Sequence, residues 1–537
     1  MKTIIYSVNE LQEAGRVLRE GGLVAFPTET VYGLGGNALD ATAAARIFAA
    51  KGRPQDNPLI AHIADIAMLD ELCYDIPDIA RKIAARFWPG PLTMALPKRE
   101  IVPDTVTAGL RTVGIRYPAH PVAQELIRAA GVPIAAPSAN RSGKPSPTAF
   151  AHVLEDMDGR IEGIVDGGDA DVGVESTFIE FVNGKVRILR PGYITPEDLA
   201  EVVGTENVEI DPAVLRGIGA DEQPRSPGMK YRHYAPSAPV IAVLGENAAC
   251  ARAILRGVRG KAGAAAILCD EYAHLMPCTT VQVGRYGDYA AQAQRLFDAL
   301  RELDRPEISV IYAQCPDDRG VGLAVANRLK RAAGFHVIEA RRMLVLGLTG
   351  STGAGKGLVS QALREQGAVI IDCDRVYHEM LASDEALLSD LRENFPAAFA
   401  DGGFDRKALG RIVFGDEAQL ARLNAVTHPH IRRKIAELLK NLEAGGTACA
   451  VIDAPTLFES GADADCDFVI GVTAEPALRK SRIMERDGLT EEYAALRIEA
   501  GKPDAWYREK CDFMIENNHA PGEAISAALD IYNTCSI

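Results

Sequence analysis

Residues 343–360, MLVLGLTGSTGAGKGLVS, predict a strand that ends in a glycine-rich loop and continues as a helix. The glycines of the loop are Gly350, Gly353, Gly355 and Gly357. With Lys356 at this spacing, the stretch is typical of a P-loop, in which backbone N–H groups bind phosphate and the lysine reaches the outer phosphates. A glycine-rich turn without a ligand is the alternative. Gly357 stands where a P-loop usually carries a Ser or Thr that binds Mg²⁺.

Length and composition set the class of protein. A P-loop strand normally opens its domain, so residues 1–342 must form other domains, and 537 residues are enough for about three or four in all. The net charge of −15 disfavours strong direct nucleic-acid binding. The ten cysteines form no CxxC pairs, and no apolar run has the length of a signal peptide or a membrane span. We expect a cytoplasmic multidomain protein without a membrane segment.

Cations and small polar loops follow predicted strands and helices throughout residues 1–204. The cations are Lys51, Arg53, Arg116 and Arg190. A helix is predicted over residues 41–50 and strands over residues 23–26 and 111–118, so the cations lie at or beside element ends. Ligands of open α/β sheets bind at such ends, where polar loops meet. The segment therefore predicts a site for a small polyanionic ligand.

Five motifs of this segment, taken in order, resemble the YrdC-type threonylcarbamoyl-AMP synthases. The motifs are PTETVYGLG at 27–35, KGRP at 51–54, GIRYP at 114–118, PSAN at 137–140 and ESTF at 175–178. That family joins L-threonine, bicarbonate and ATP into threonylcarbamoyl-adenylate and pyrophosphate, for synthesis of N6-threonylcarbamoyladenosine in tRNA. The resemblance implies a YrdC-like α/β domain with a twisted open sheet, and a tRNA-modifying transferase complex as the downstream partner. A tRNA-binding role for this segment is an alternative that the acidic charge disfavours.

The same resemblance implies roles for individual residues. Lys51 and Arg53 would be catalytic. L-Threonine would be held by Thr30, His62, Arg116 and Ser176. ATP would be held by Arg53, Asn57, Thr112, Ser138, Asn140, Ser146 and Arg190. Mg²⁺ would be carried on the ATP phosphates, because no carboxylate pair stands out as a metal site of the protein. A core histidine bonded to the backbone is the alternative for His62.

Residues 205–238 are predicted to be a linker, and residues 239–341 a small Rossmann-like accessory domain. The linker contains RSPGMKYRHYAP at 225–236, which is too short and basic for a core yet rich in aromatic residues. We interpret it as a lid over the anionic site, with Tyr231 and His233 as lid residues, and a tether is the alternative. It is similar to the linker of the longer synthases. The accessory segment alternates strand and helix patterns, and its sequence indicates no chemistry of its own.

Residues 342–537 carry further features of a nucleotide kinase. A second predicted strand ends at Asp372-Cys373-Asp374, the motifs HPHIR and APTLFE follow, and Arg479, Arg482 and Arg486 share one helical face. This order resembles dephospho-CoA kinase, which phosphorylates dephospho-CoA with ATP, and implies a P-loop kinase-type parallel sheet. Asp374 would be the base, Lys356 the phosphate clamp, and Arg482 and Arg486 the lid.

Two residues of this last segment depart from the kinase pattern. Gly357 lacks the metal-binding hydroxyl, and Gly501 stands where the family usually carries glutamine. Phosphoryl transfer would therefore be impaired while nucleotide binding persists, because backbone N–H groups supply much of the phosphate contact. A non-catalytic regulatory module that binds nucleotide or CoA is the alternative.

Overall fold

The chain folds as two compact units, Met1–Glu339 and Ala340–Ile537. The computed structural model describes residues 2–216, 224–227, 234–399, 403–413 and 416–536. The proposed lid residues Tyr231 and His233 lie outside these ranges. Within them, no helix combines the length and the hydropathy that a bilayer span requires.

The first part of unit 1 is built on a mixed sheet of 11 strands. The strands are β1 (Ile4–Tyr6), β2 (Val24–Phe26), β3 (Gly33–Asn37), β4 (Ile60–His62), β5 (Leu92–Pro97), β6 (Thr112–Arg116), β7 (Ile134–Ala135), β8 (Gly163–Val165), β9 (Thr177–Val182), β10 (Lys185–Arg190) and β11 (Val208–Ile210). Their order across the sheet is β1-β8-β2-β3-β7-β4-β6-β5-β9-β10-β11. This confirms the predicted open α/β sheet.

Helices cover the sheet and enclose its apolar core. They are α1 (Leu11–Arg19), α2 (Ala41–Lys51), α3 (Ile66–Leu72), α4 (Asp78–Phe87), α5 (Asp104–Thr107), α6 (Pro121–Ala130), α7 (Phe150–Met157), α8 (Pro196–Val203) and α9 (Ala213–Arg216), with a 3₁₀ turn at Thr205–Asn207. Core residues such as Leu34, Ile115 and Ile179 are fully buried. Because β4 and β6 are parallel neighbours in register, their last residues, His62 and Arg116, lie side by side.

The edge strand β11 differs from the sequence prediction, which placed it in the linker from residue 205. It pairs in parallel with β10, opposite Val186, Arg187 and Ile188. Its residues Val208-Glu209-Ile210 alternate apolar and polar, but a run of three is too short to predict a strand.

The second part of unit 1, the accessory domain, is a parallel five-stranded sheet flanked by helices. Its strands are β12 (Val240–Leu244), β13 (Ala264–Leu268), β14 (Thr279–Gln282), β15 (Val310–Cys315) and β16 (Val337–Glu339), and its helices are α10 (Asn247–Val258), α11 (Tyr289–Glu302) and α12 (Gly322–Ala332), with a 3₁₀ segment at Asp270–Leu275. The strand order is β14-β13-β15-β12-β16. The predicted Rossmann-like layer is confirmed, since buried apolar strands alternate with amphipathic helices.

Unit 2 is a second parallel five-stranded sheet with helices around it. Its strands are β17 (Leu344–Gly350), β18 (Val369–Asp372), β19 (Cys449–Asp453), β20 (Phe468–Thr473) and β21 (Phe513–Glu516). Its helices are α13 (Lys356–Glu365), α14 (Cys373–Ser383), α15 (Glu385–Asn394), α16 (Arg406–Val413), α17 (Glu417–Ala444), α18 (Pro476–Asp487), α19 (Glu491–Glu499), α20 (Asp504–Lys510) and α21 (Pro521–Cys535), with 3₁₀ turns at Pro396–Phe399 and Ala462–Asp465. The fully buried β17 is central in the order β18-β19-β17-β20-β21 and leads into the glycine loop and α13. This confirms the predicted P-loop kinase-type sheet.

Gly173 lies where the first part of unit 1 packs closely against α11. A Cβ at this position would lie 2.3 Å from the Cα of Gln294 and 2.4 Å from the carbonyl oxygen of Ala293. Gly168, in the same loop, has a similar left-handed backbone, and a Cβ there would meet nothing within 4 Å. The pair therefore separates backbone strain from close packing.

We expect Gly173→Ala to destabilise unit 1 more than Gly168→Ala does. Both variants place alanine at positive φ, at a cost of roughly 1–2 kcal/mol, but only Gly173→Ala adds overpacking of about 1–3 kcal/mol. Thermal unfolding of the two variants beside wild type measures the difference. Equal midpoints for the two variants would show that the contact with α11 is loose.

Candidate functional site

A pocket lies at the carboxyl ends of β4 and β6 and brings together eight of the predicted site residues. Four are the predicted cations Lys51, Arg53, Arg116 and Arg190. The others are His62, Ser138, Asn140 and Ser176. The position of the pocket follows the rule that ligands of α/β sheets bind at strand ends.

Lys51, the last residue of α2, is buried and holds the loop after β7. Its ammonium group donates to the carbonyl oxygen of Ser138, to the carbonyl oxygen of Asn140 at 2.5 Å and to Asn140 Oδ1 at 3.3 Å. Burial and the neighbouring Arg53 lower the pKa of Lys51 well below its usual value. The lysine therefore fixes the position of two predicted ATP-binding residues.

Arg116 is compensated by a carboxylate that the sequence analysis did not single out. Its Nη2 lies 2.8 Å from Glu29 Oε1, and both side chains are less than one tenth exposed. Burial would raise the pKa of Glu29, but the Arg116 guanidinium outweighs it and lowers that pKa. Arg116 is thus held at the pocket wall by a buried ion pair.

His62 lies beside Arg116 and is uncharged at neutral pH. Burial, reinforced by the charge of Arg116, lowers the pKa of His62 to about 3. Its Nδ1 is 3.2 Å from the carbonyl oxygen of Ile60, a backbone hydrogen bond that holds the ring in place. The imidazole therefore offers the pocket a neutral polar group rather than a second cation.

Arg190, at the end of β10, orients Ser176. Its Nη2 donates to Ser176 Oγ at 3.1 Å and to the Ser176 carbonyl oxygen at 3.1 Å. The Ser176 hydroxyl also lies 2.8 Å from the hydroxyl of Thr93. The guanidinium carbon stands 6.0 Å from the centroid of the Phe178 ring, so the arginine is held on several sides.

Glu175 lines the pocket and joins it to the accessory domain. Its Oε1 accepts from the Ser146 hydroxyl at 2.6 Å, and its Oε2 accepts from Arg328 Nε at 2.7 Å. Burial would raise the pKa of Glu175, but the charges of Arg328 and Arg190 and the bond from Ser146 lower it to about 2. The carboxylate is therefore ionised across the neutral range.

Four predicted site residues lie outside the pocket lining: Thr30, Asn57, Thr112 and Ser146. Thr30 is buried against Thr28, and Ser146 donates to Glu175, which lines the pocket. The buried Asn57 amide has no hydrogen-bond partner among the described residues. Thr112 begins the strand that Arg116 ends, about 13 Å away at a rise of about 3.3 Å per residue.

The described residues on either side of 228–233 both line the pocket. They are Pro227, whose carbonyl oxygen accepts from Arg190, and Tyr234, whose ring packs 5.1 Å from that of Phe297. Just before Pro227, Arg225 forms ion pairs with Glu180 and Asp211. The linker is thus anchored to the rest of unit 1 at both described ends.

In unit 2, the glycine loop is followed by α13, whose first residue is Lys356. The preceding Gly355 has φ +93°, and a Cβ there would lie 2.3 Å from Asn517 Nδ2, so this position requires glycine. The helix has no side-chain cap, which leaves its N-terminal N–H groups for an anion. At Gly357 a Cβ would meet nothing within 4 Å.

Carboxylates gather at the ends of β18 and β19, next to the loop. Lys356 forms an ion pair with Asp453, and Asp453 lies in register beside Asp372. Asp374 is exposed in the first turn of α14. Burial and then the charges of Asp453 and Asp374 raise the pKa of the Cys373 thiol to about 12, which indicates that these carboxylates are neighbours.

The arginines of α18 divide into two groups. Arg479 Nε donates to the carbonyl oxygen of Thr352 at 2.9 Å, and Arg482 donates to the carbonyl oxygens of Ala354 and Asn517. Arg486, predicted as a lid residue, instead donates to the carboxylate of Asp487. Arg479 and Arg482 thus contact the glycine loop or its support, whereas Arg486 lies one helical turn further along, at the end of α18.

A further pocket in unit 2 is lined by His428, Arg432 and Glu459, among others. The first two belong to the HPHIR motif and the third ends the APTLFE motif. The fold therefore brings together two motifs that the sequence analysis found separately.

The sequence analysis assigned no role to six further residues of the two sites. They are Glu29, Glu175, Tyr234, Arg328, Asp453 and Asn517. Glu29 and Glu175 stand inside recognised motifs, and Asp453 directly precedes the APTLFE motif, so motif position was a signal for these three. Arg328 and Asn517 carried no local signal, since their partners lie 153 and 163 residues away.

Three family models match the chain. The model described as telomere recombination matches residues 16–192, and the model described as threonylcarbamoyl-AMP synthase, C-terminal domain, matches residues 194–334. The model described as dephospho-CoA kinase matches residues 344–522. These matches confirm the two resemblances that the sequence motifs indicated.

Curated relatives and a solved structure agree with the family models. A threonylcarbamoyl-AMP synthase of Pyrococcus abyssi is 47% identical over 353 residues, which are 63% of this chain and 99% of the relative. A dephospho-CoA kinase of Rhizobium etli is 33% identical over 189 residues, which are 35% of this chain and 92% of the relative. The crystal structure of P. abyssi Sua5 complexed with L-threonine has a TM-score of 0.58 at 45% identity, over 63% of this chain and 100% of that chain.

The depressed pKa of His62 predicts a loss of stability in mild acid. Below the ordinary pKa of 6.5, His62 is protonated in the unfolded chain, whereas in the folded chain it is protonated only near pH 3. The contribution of His62 to the free energy of unfolding is therefore fully present above about pH 6.5. Below that pH it falls by about 1.4 kcal/mol per pH unit.

We expect His62→Gln to reduce the drop in thermal midpoint between pH 7.5 and pH 5.5, by the equivalent of about 1 kcal/mol. His336→Gln, which changes an exposed histidine, is the control and should follow wild type. Parallel curves for wild type and His62→Gln would contradict the burial of a neutral imidazole.

Proposed function

We propose that this chain condenses L-threonine, bicarbonate and ATP to threonylcarbamoyl-AMP and pyrophosphate. The chain belongs to the threonylcarbamoyl-AMP synthase family over residues 1–339 and to the dephospho-CoA kinase family over residues 340–537. The product would supply a tRNA-modifying transferase complex that makes N6-threonylcarbamoyladenosine. The observation that carries the proposal is the pocket in which four cations and four polar residues, six of the eight from the family motifs, meet. L-Threonine is bound in the P. abyssi Sua5 structure, which supports it as the amino-acid substrate.

The reaction needs charge neutralisation more than a protein nucleophile. The threonine amine and bicarbonate combine with loss of water to a carbamate. A carbamate oxygen then forms a bond to the α-phosphorus of ATP, the bond from that phosphorus to the bridging oxygen breaks, and pyrophosphate leaves. Every reactant is an anion or carries a carboxylate, so a pocket that holds charged guanidinium groups in place lowers the barrier.

The two ends of the pocket suit the two larger substrates. At one end Arg116 would pair with the threonine carboxylate, with neutral His62 and Ser176 beside it. At the other, Arg53, Ser138 and Asn140 would bind ATP phosphate and ribose. Mg²⁺ would arrive on the phosphates, and within the described ranges no group of three or more His, Cys, Asp or Glu side chains is placed to hold it.

The synthase proposal predicts pyrophosphate release from ATP only when L-threonine and bicarbonate are both present. Arg53→Met should lower turnover by about two orders of magnitude or more, because a positive charge facing the developing phosphate charge is lost. Lys185→Met is the matched control, since Lys185 pairs with Glu209 on the outer strands. Normal activity in Arg53→Met, measured by a coupled pyrophosphate assay, would refute the phosphate site.

For unit 2 we propose phosphorylation of dephospho-CoA by ATP at the glycine loop. Lys356 would leave Asp453 for the phosphates, and Asp374 would take the proton of the attacking hydroxyl. Dephospho-CoA would approach from the side of the pocket of His428 and Arg432. The second candidate, a nucleotide- or CoA-binding regulatory module, is favoured by one observation, the missing hydroxyl at Gly357.

Gly357→Ser tests the two candidates directly. The structure leaves open space for the new side chain, so the hydroxyl can restore a Mg²⁺ ligand without strain. We expect phosphoryl transfer to rise by about 10²-fold, or about 2.7 kcal/mol, and to vanish in Lys356→Ala. Gly355→Ala is the contrasting variant, and it should lose nucleotide binding because its Cβ meets Asn517.

The outcomes separate the candidates. A wild-type rate equal to that of Gly357→Ser would mean that water or another side chain serves the metal. Nucleotide binding without transfer in both proteins would support the regulatory module.

A further inference from the structure

Arg328, on α12 of the accessory domain, lies outside the pocket yet contacts two residues that line it. Its Nε donates to Glu175 Oε2 at 2.7 Å, and its guanidinium carbon stands 5.9 Å from the centroid of the Tyr234 ring. The arginine side chain is 0% exposed. The accessory domain therefore reaches the wall of the pocket through one fully buried charge.

Glu175 connects Arg328 to Ser146 by accepting a hydrogen bond from each. One carboxylate oxygen faces Arg328, and the other accepts from the Ser146 hydroxyl at 2.6 Å. Both bonds join residues far apart in sequence and leave Glu175 little rotational freedom. The position of the Ser146 hydroxyl thus depends on a residue of another domain.

A second arginine of the accessory domain holds the chain next to Ser146. Arg301 donates from Nη2 to the carbonyl oxygen of Pro145 at 2.6 Å and to Asp156 Oδ2 at 2.7 Å. Asp156 is 0% exposed in its side chain and Arg301 7%. Residues 145 and 146 are therefore fixed from the accessory domain by two independent buried contacts.

Stability alone is a poor explanation for the pair of Arg328 and Glu175. Removing two charges from water costs several kcal/mol per ion, and apolar side chains of similar volume are often as stable or more so. The pair touches Ser146 and Tyr234 at the pocket, whereas an apolar replacement would contact neither through directed bonds. A role in positioning Ser146 and Tyr234 accounts for a buried ion pair of Arg328 and Glu175.

We propose that Arg328 is a positioning residue for the ATP side of the synthase site, acting through Glu175 on Ser146 and through its contact with Tyr234. The inference rests on the proposed function, in which Ser146 belongs to the ATP site. It also means that the accessory domain completes the site of the first part of unit 1.

The test measures KM for ATP and for L-threonine in the full chain. Arg328→Met leaves Glu175 buried without its cation, so KM for ATP should rise about tenfold or more while KM for threonine stays within about twofold. The double variant Arg328→Met with Glu175→Gln removes the uncompensated carboxylate and should recover part of the loss, so the two changes are not additive.

Arg331→Met is the matched control. Arg331 lies one turn further along α12, is 6% exposed and donates to the carbonyl oxygen of Ala213 at 3.2 Å, which is not part of the pocket. It should lower the thermal midpoint without changing KM for ATP. Equal rises of KM for ATP in Arg331→Met and Arg328→Met would reduce Arg328 to an interface contact and overturn the proposal.

Two further results decide the proposal. An unchanged KM for ATP in folded Arg328→Met overturns it. Should Arg328→Met not fold, Glu175→Gln carries the test, because one amide oxygen cannot serve Ser146 and Arg328 as two carboxylate oxygens do, and an unchanged KM for ATP again overturns it.

Failure of the proposed function gives a different result. In that case wild type releases no pyrophosphate with threonine and bicarbonate. Titration calorimetry of ATP binding to the same variants then replaces KM. Weaker binding in Arg328→Met than in Arg331→Met supports the positioning role, and equal binding contradicts it.

Discussion

Positive charge kept out of water is the constraint that shapes unit 1. Lys51, Arg116 and Arg190 are each less than one tenth exposed, and such charges are costly unless they are paired or hydrogen-bonded. The fold meets this cost in different ways: carbonyl oxygens surround Lys51, and Glu29 pairs with Arg116. Glu175 lowers the local positive potential near Arg190. The polyanionic substrates would complete the compensation, so affinity and fold stability depend on the same charges.

The groups that compensate the buried charges come from distant parts of the chain, and one of them belongs to the accessory domain. Glu175 and Arg328 are 153 residues apart, and their contact is made only when α12 packs against the first part of unit 1. The close approach of Gly173 to α11 lies two residues from Glu175. Tight packing and charge pairing therefore occur together where the accessory domain packs against the first part of unit 1. The close contact at Gly173 sets the geometry of the ion pair between Glu175 and Arg328.

Sequence predicted the elements and motifs that are encoded locally. The helix over 41–50 and the strand, loop and helix around the glycine loop follow from apolar periodicity and from glycine spacing. The edge strand β11 was missed because its alternation of apolar and polar residues covers only three positions. Arg328 was missed because nothing in its own helix distinguishes a charge that will be buried from one on a solvated face. Thr112, which the family resemblance implied for ATP binding, begins the strand whose other end lines the pocket, and sequence order alone does not give that distance.

The two units would bind phosphate through different groups. A change of one side chain therefore has different effects on phosphate binding in unit 1 and in unit 2. In unit 1 the anion would meet guanidinium groups, so removing a side chain removes binding and catalysis together. In unit 2 the anion would meet backbone N–H groups at the start of α13, which no side-chain change at Gly357 removes. The hydroxyl absent there serves only the metal. A P-loop of this kind can therefore retain its nucleotide while losing rate, and binding of ATP to unit 2 is by itself no measure of phosphoryl transfer.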